Sequence, residues 1–147
     1  MNAAAFALLA GATLASPCAV AADFTFDVPV VIENVPSATT AAISCVVSIV
    51  PPDGPSALAG ANVVGRGETN VAITGGAYRG TVTVEVNATG LNLPSAARSY
   101  TCSMGLLGRS LTGVLYRASS GNARDAYSRA TGLTVDRLVM IARGPLP

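Results

Sequence analysis

The residues of this chain that could do chemistry are few, and their main effect is to exclude reactions. There is no His among the 147 residues, which removes imidazole acid/base catalysis, the usual Ser/His/Asp and Cys/His nucleophile systems and every imidazole metal ligand. Cys45 and Cys102 could in principle act as thiols. Neither has a second Cys at Cys-x-x-Cys spacing and both fall on apolar phases of their segments, so a structural bridge is the expectation. The eight acidic residues are scattered, with no pair spaced for glycoside hydrolysis or Ca²⁺ coordination. Glycines at positions 60, 65, 67, 75, 76 and 80 make no phosphate loop, because none leads from a strand into a helix with Lys and Ser/Thr behind it. They read as turn and bulge residues. Asn87-Ala88-Thr89 satisfies the glycosylation sequon and reads as an accident of Thr-rich strand ends. The expectation is a non-enzymatic protein with no catalytic residues, no metal and no cofactor.

One segment gathers residue types found in binding surfaces. Arg124, Asp125, Tyr127 and Arg129 concentrate between residues 122 and 129 and form a candidate binding loop, since Tyr and Arg are favoured at interface hot spots. The bland account is a solvated connection with an incidental ion pair. Charge is otherwise sparse, nine basic residues against eight acidic ones. No basic face of the kind that displaces counterions from phosphates is expected, and nucleic acid is excluded as a partner. Partners are expected to be another envelope protein or a second copy of the chain. All nine basic residues are Arg, while Ala and Gly abound, a composition like that of a GC-rich bacterial genome.

These residues need a scaffold and a compartment. The segment 1–22 has no charged side chain and runs from a short apolar core into small residues, with Ala19-Val20-Ala21 as an A-x-A cleavage site. It is shorter than the roughly 20 apolar residues a bilayer span requires. The expectation is a signal peptide over 1–22, cut after Ala21 or Ala22, with no membrane span left afterwards and a periplasmic or secreted product. A retained anchor is the competing reading. Cys18 leaves with the segment, and Pro17 before it departs from a lipidation box. The remaining pair, Cys45 and Cys102, is the arithmetic of one disulfide in an oxidising compartment.

Beyond residue 22 the dominant pattern is period-two alternation, the mark of strands. Phe24, Phe26, Val28, Val30 and Ile32 share one face, with Pro29 placing that strand at a sheet edge. Ile43, Cys45, Val47 and Ile49 share another, closed by the breakers at 51–54. Short strands are expected at 61–64 and 68–74, followed by a Gly75-Gly76 hairpin turn. The clearest strand puts Tyr78, Val82, Val84 and Val86 on one face against Arg79, Thr81, Thr83 and Glu85. Tyr100, Cys102, Met104 and Leu106 alternate in the same way, and further strands are expected at 112–118 and 133–142, the last with a bulge at Asp136 and Arg137. Residues 120–131 have no β-branched run and read as a short helical or irregular insertion ending at Gly132, with Asp125 and Arg129 as an i, i+4 pair. No linker divides the chain, so residues 23–147 are expected to form one domain.

Both cysteines on inward phases fit a bridge between two facing sheets. Tyr100-Thr101-Cys102 also resembles the tyrosine corner of immunoglobulin domains, and the separation of the two Cys is similar to theirs. That resemblance implies an all-β, antiparallel two-sheet immunoglobulin-like sandwich with one inter-sheet disulfide. The chain departs from the family in having no Trp, and Ala96 stands where the family usually has Asp. The function expected is that of an exported binding or structural domain. Two alternatives are a pilin-like appendage subunit that assembles by strand addition, with Phe24 to Ile32 as donor strand, and a carboxylate-based hydrolase.

Overall fold

The structure is a computed structural model that describes residues 21–52, 58–110, 112–113, 115–119, 123–135, 137–140 and 142–147. The expected signal peptide therefore lies outside the described residues, apart from Ala21 and Ala22. Among the described residues eight strands and one α-helix follow in the order β1 (Phe24–Glu33), β2 (Ala38–Ser48), β3 (Val63–Ala72), β4 (Tyr78–Ala88), β5 (Ser99–Arg109), β6 (Leu115–Ser119), α1 (Ala123–Thr131), β7 (Arg137–Met140) and β8 (Arg143–Pro145), with short 3-10 turns at Gly60–Asn62 and Pro94–Ala96. The antiparallel, all-β character read from the alternation holds. The segments expected at 61–64 and 68–74 are joined in the single strand β3, and the last expected strand begins at Arg137 instead of residue 133.

The hairpin between β3 and β4 turns on Gly75 and Gly76, whose φ angles of 61° and 76° suit a two-residue turn with both central residues left-handed. Beyond it the side chains alternate as the sequence implies. Val82, Val84 and Val86 are buried with Val28, Val30 and Ile32 of the neighbouring β1, while Thr81, Thr83 and Glu85 are exposed. Phe24 and Phe26 are partly buried on the same face. This apolar face, with Ile43, Val47, Val64 and Leu106, forms the core.

Strand pairing follows one path, β6-β5-β2-β3-β4-β1-β7, with β8 joined to β5. The expected pair of separate sheets is therefore replaced by a single sheet curled into a half-barrel. The link between β3 and β4 is short, with only Gly65↔Ala88 and Arg66↔Asn87 as register partners. There β4 passes so close to β3 that a Cβ on Gly65 or Gly67 would overlap the carbonyl oxygens of Asn87 and Glu85. These two glycines were expected in turns or bulges. They sit inside a strand because a neighbouring backbone occupies the space a side chain would need.

The disulfide forms, but between neighbours. Cys45 of β2 and Cys102 of β5 are direct register partners in one antiparallel ladder, with their Cα atoms 4.0 Å apart. Cys102 N–H donates to Ala142 O on the opposite edge of β5, so the cysteines occupy a non-hydrogen-bonded pair, the closer of the two antiparallel pair types. The inter-sheet position expected from the immunoglobulin resemblance is thus corrected. Alternation placed both thiols on the inward face, which is right, but inward residues of adjacent strands satisfy that pattern as well as residues of facing sheets. Tyr100, read as a corner tyrosine, stacks on Phe26 with ring centroids 4.5 Å apart.

Candidate functional site

The four residues singled out in the sequence do not converge. They lie on α1, where the spacing of Ala123, Tyr127 and Thr131 makes a buried stripe one side chain wide. Tyr127 is fully buried, and its hydroxyl accepts a hydrogen bond from Ser37 Oγ at 2.9 Å. It ties the helix to the β1–β2 connection and has no surface to offer a ligand. Arg124, Asp125 and Arg129 are exposed on the other side of the helix, with the acid in the first turn and Arg129 in the last, the order the helix dipole favours.

The carboxylates on β1 and just before it are similarly committed. Asp23 accepts the backbone N–H of Ala88, Asp27 accepts the Thr83 hydroxyl, and Glu33 pairs with Arg79, each at 2.7 Å. Among the described residues no group of three or more His, Cys, Asp or Glu comes together to hold a metal ion.

The concave feature that does emerge lies where the curled sheet meets itself. One edge of β5 pairs with β2 along nearly its whole length. The other edge is divided, with β8 taking Ser99, Tyr100 and Thr101 and β6 taking Gly105 to Arg109. Ser103 and Met104 lie between the two, as does Cys102, whose N–H is taken by Ala142 O just before β8. β7 meanwhile pairs with Val30–Glu33 of β1 at the far end of the sheet. The chain from 137 to 145 thus leaves the β1 edge and lands on the β5 edge, drawing the two ends of the sheet together without closing them.

A cleft of about 600 Å³ occupies this seam. The β5 edge lines it with Thr101, Cys102, Ser103 and Met104, β7 adds Leu138 and Met140, and Leu58 stands at one side. Because the cleft wraps an edge, it collects side chains from both faces of β5. Met104 and Cys102 come from the buried face, Ser103 from the exposed one. The lining carries two hydroxyls and no charged group. Its volume is within the usual range for small-molecule sites, which are mostly apolar with a few polar groups that fix orientation. Cys102 is 7% exposed and Cys45 is 0% exposed, so the disulfide meets the cleft through Cys102 alone.

Sequence reasoning missed this site. Its trace was the change of apolar phase between Val135 and Leu138, read as a bulge at Asp136 and Arg137; Asp136 lies outside the described residues, and from Arg137 the chain pairs with β1. The chain matches no protein-family model, no curated protein and no solved structure.

Proposed function

We propose that the chain is an exported, non-catalytic binding domain that holds an uncharged apolar small molecule in the seam cleft. The observation that carries the reading is the divided edge of β5, which leaves Cys102–Met104 facing Leu138 and Met140 across an open, uncharged cavity. Polar or ionic ligands would find two hydroxyls there and no countercharge, so apolar contact supplies the affinity. Export, to the periplasm or beyond the cell, is supported by the apolar segment 1–22 and by a disulfide of the kind oxidising compartments sustain.

The pairing of the first strand supports a self-contained domain over an appendage subunit. Donation of Phe24 to Ile32 to another chain would require β1 to give up nine register positions on β4. An immunoglobulin-like order would set the two Cys strands across from each other in different sheets, and their direct pairing weighs against it. The engagement of Asp23, Asp27 and Glu33 weighs against a carboxylate hydrolase.

Titration with the uncharged fluorophore N-phenyl-1-naphthylamine tests the reading. Saturable binding at one probe per chain is expected. Met140→Trp fills the cleft from a partly buried strand position and should weaken binding by about tenfold or more, the factor given by ~1.4 kcal/mol of lost contact, with little change in melting temperature. Non-saturable wild-type fluorescence, or equal affinity in the variant, would refute the proposal.

A further inference from the structure

The end of the half-barrel that carries the β2–β3 and β4–β5 connections exposes aliphatic side chains in an ordered setting. Leu91 is 98% exposed and Leu93 is 71% exposed. They flank Asn92, whose side-chain amide donates to Ala61 O at 2.9 Å and to Val63 O at 3.1 Å. Gly90 adds a second restraint. Its N–H donates to Val64 O, and a Cβ there would overlap the Val63 carbonyl oxygen. The two leucines are therefore held outward by the residues on either side of them. Leu58, 57% exposed, belongs to the same end of the sheet, since its carbonyl accepts Arg66 Nη2 and Arg66 is the register partner of Asn87.

Among the described residues the charges around this end are mostly of one sign. Arg66, Arg98 and Arg143 are exposed there, Arg98 just before β5 and Arg143 opposite Thr101 near its start. Among the described residues the nearby carboxylate is Asp23, which already accepts the Ala88 N–H, while Glu68 and Glu85 stand further along the sheet.

From these observations we infer that the Leu91-Asn92-Leu93 tip docks on the surface of an anionic phospholipid bilayer, with the leucines entering the acyl boundary and the three arginines meeting the head groups. A specific protein interface of ordinary size engages about 20–30 residues a side, far more than this narrow tip presents. Shallow insertion needs only a small apolar surface, and basic residues beside it draw it to a negative leaflet. The docking is peripheral and adds no membrane span.

Vesicle flotation tests the inference on the chain as the cell leaves it, with its N-terminus read by mass spectrometry. The wild type and Leu91→Ser/Leu93→Ser are compared, so that anything upstream of residue 23 is common to both. Vesicles of phosphatidylcholine with phosphatidylglycerol should carry the wild type, pure phosphatidylcholine should carry less, and added salt should release it. The double variant alters exposed side chains, so it should melt like the wild type and bind these vesicles about tenfold or more weaker. A wild type that stays unbound, or a variant that floats equally well, overturns the inference. So does concentration-dependent self-association abolished by the same variant, which would assign the leucines to a second copy. The readout does not depend on the cleft, because neither substituted residue lines it.

Discussion

At the scale of single residues, the disulfide is the feature with the largest expected effect on stability. It closes a separation of 57 residues, for which the chain-entropy model gives about 4 kcal/mol before native strain is subtracted. For a domain of this size that corresponds to roughly 10–20 °C in melting temperature. Cys45→Ser/Cys102→Ser, followed by circular dichroism on heating, should show a fall of this order. An unchanged melting point would mean that the full-length β2–β5 ladder already supplies the restraint. Tyr127 teaches a different lesson at the same scale. An aromatic residue among arginines reads as an interface anchor, yet three-dimensional context made it a core residue with a satisfied hydroxyl. Sequence alone did not show which side of the helix would face the sheet, because that depends on where β6 and β5 lie.

At the scale of elements, local pattern was a good guide wherever one face of a strand is wet and the other dry. β1, β4 and β5 lie almost where alternation placed them, and the Gly75-Gly76 turn has the geometry its composition demands. The helix also ends at Thr131, immediately before Gly132, as its sequence implies. Pro29, read as an edge marker, stands just before Val30, where the β7 ladder on β1 begins. Pattern was silent about non-local partners. Nothing in the residues of β2 says that its neighbours are β3 and β5, and nothing in Gly65 or Gly67 says that β4 crosses above them. That crossing can be tested. Gly67→Ala must displace the Glu85 carbonyl, whereas a Cβ on Gly60 meets no atom within 4 Å. Denaturant unfolding should therefore show Gly67→Ala less stable by about 3 kcal/mol, at the upper end of overpacking costs, and Gly60→Ala close to the wild type. Equal stabilities would contradict the close approach of the β4 backbone to Gly67.

At the scale of the whole molecule, the curled sheet leaves an unclosed seam, and the function proposed for the chain rests on that seam. No helix among the described residues is long and apolar enough to cross a membrane, and the lining of the seam is apolar without being charged. The all-β, antiparallel character and the cysteine pair were legible because both follow from short-range alternation and counting, whereas the expected division into two sheets, which depends on non-local pairing, was not. The site was not legible, because it is made where two successive short strands take different partners, β7 on β1 at Val30–Glu33 and β8 on β5 at Ser99–Thr101. Such a site is a property of closure, and closure is decided by contacts between residues far apart in the chain. The most direct measurement is native mass spectrometry, with organic extraction, on the chain recovered from the envelope or medium of cells that express it. The account predicts one uncharged apolar molecule bound per chain with both sulfurs oxidised, and its loss in Met140→Trp. A chain that emerges empty, or that carries the same molecule after the cleft is filled, would contradict it.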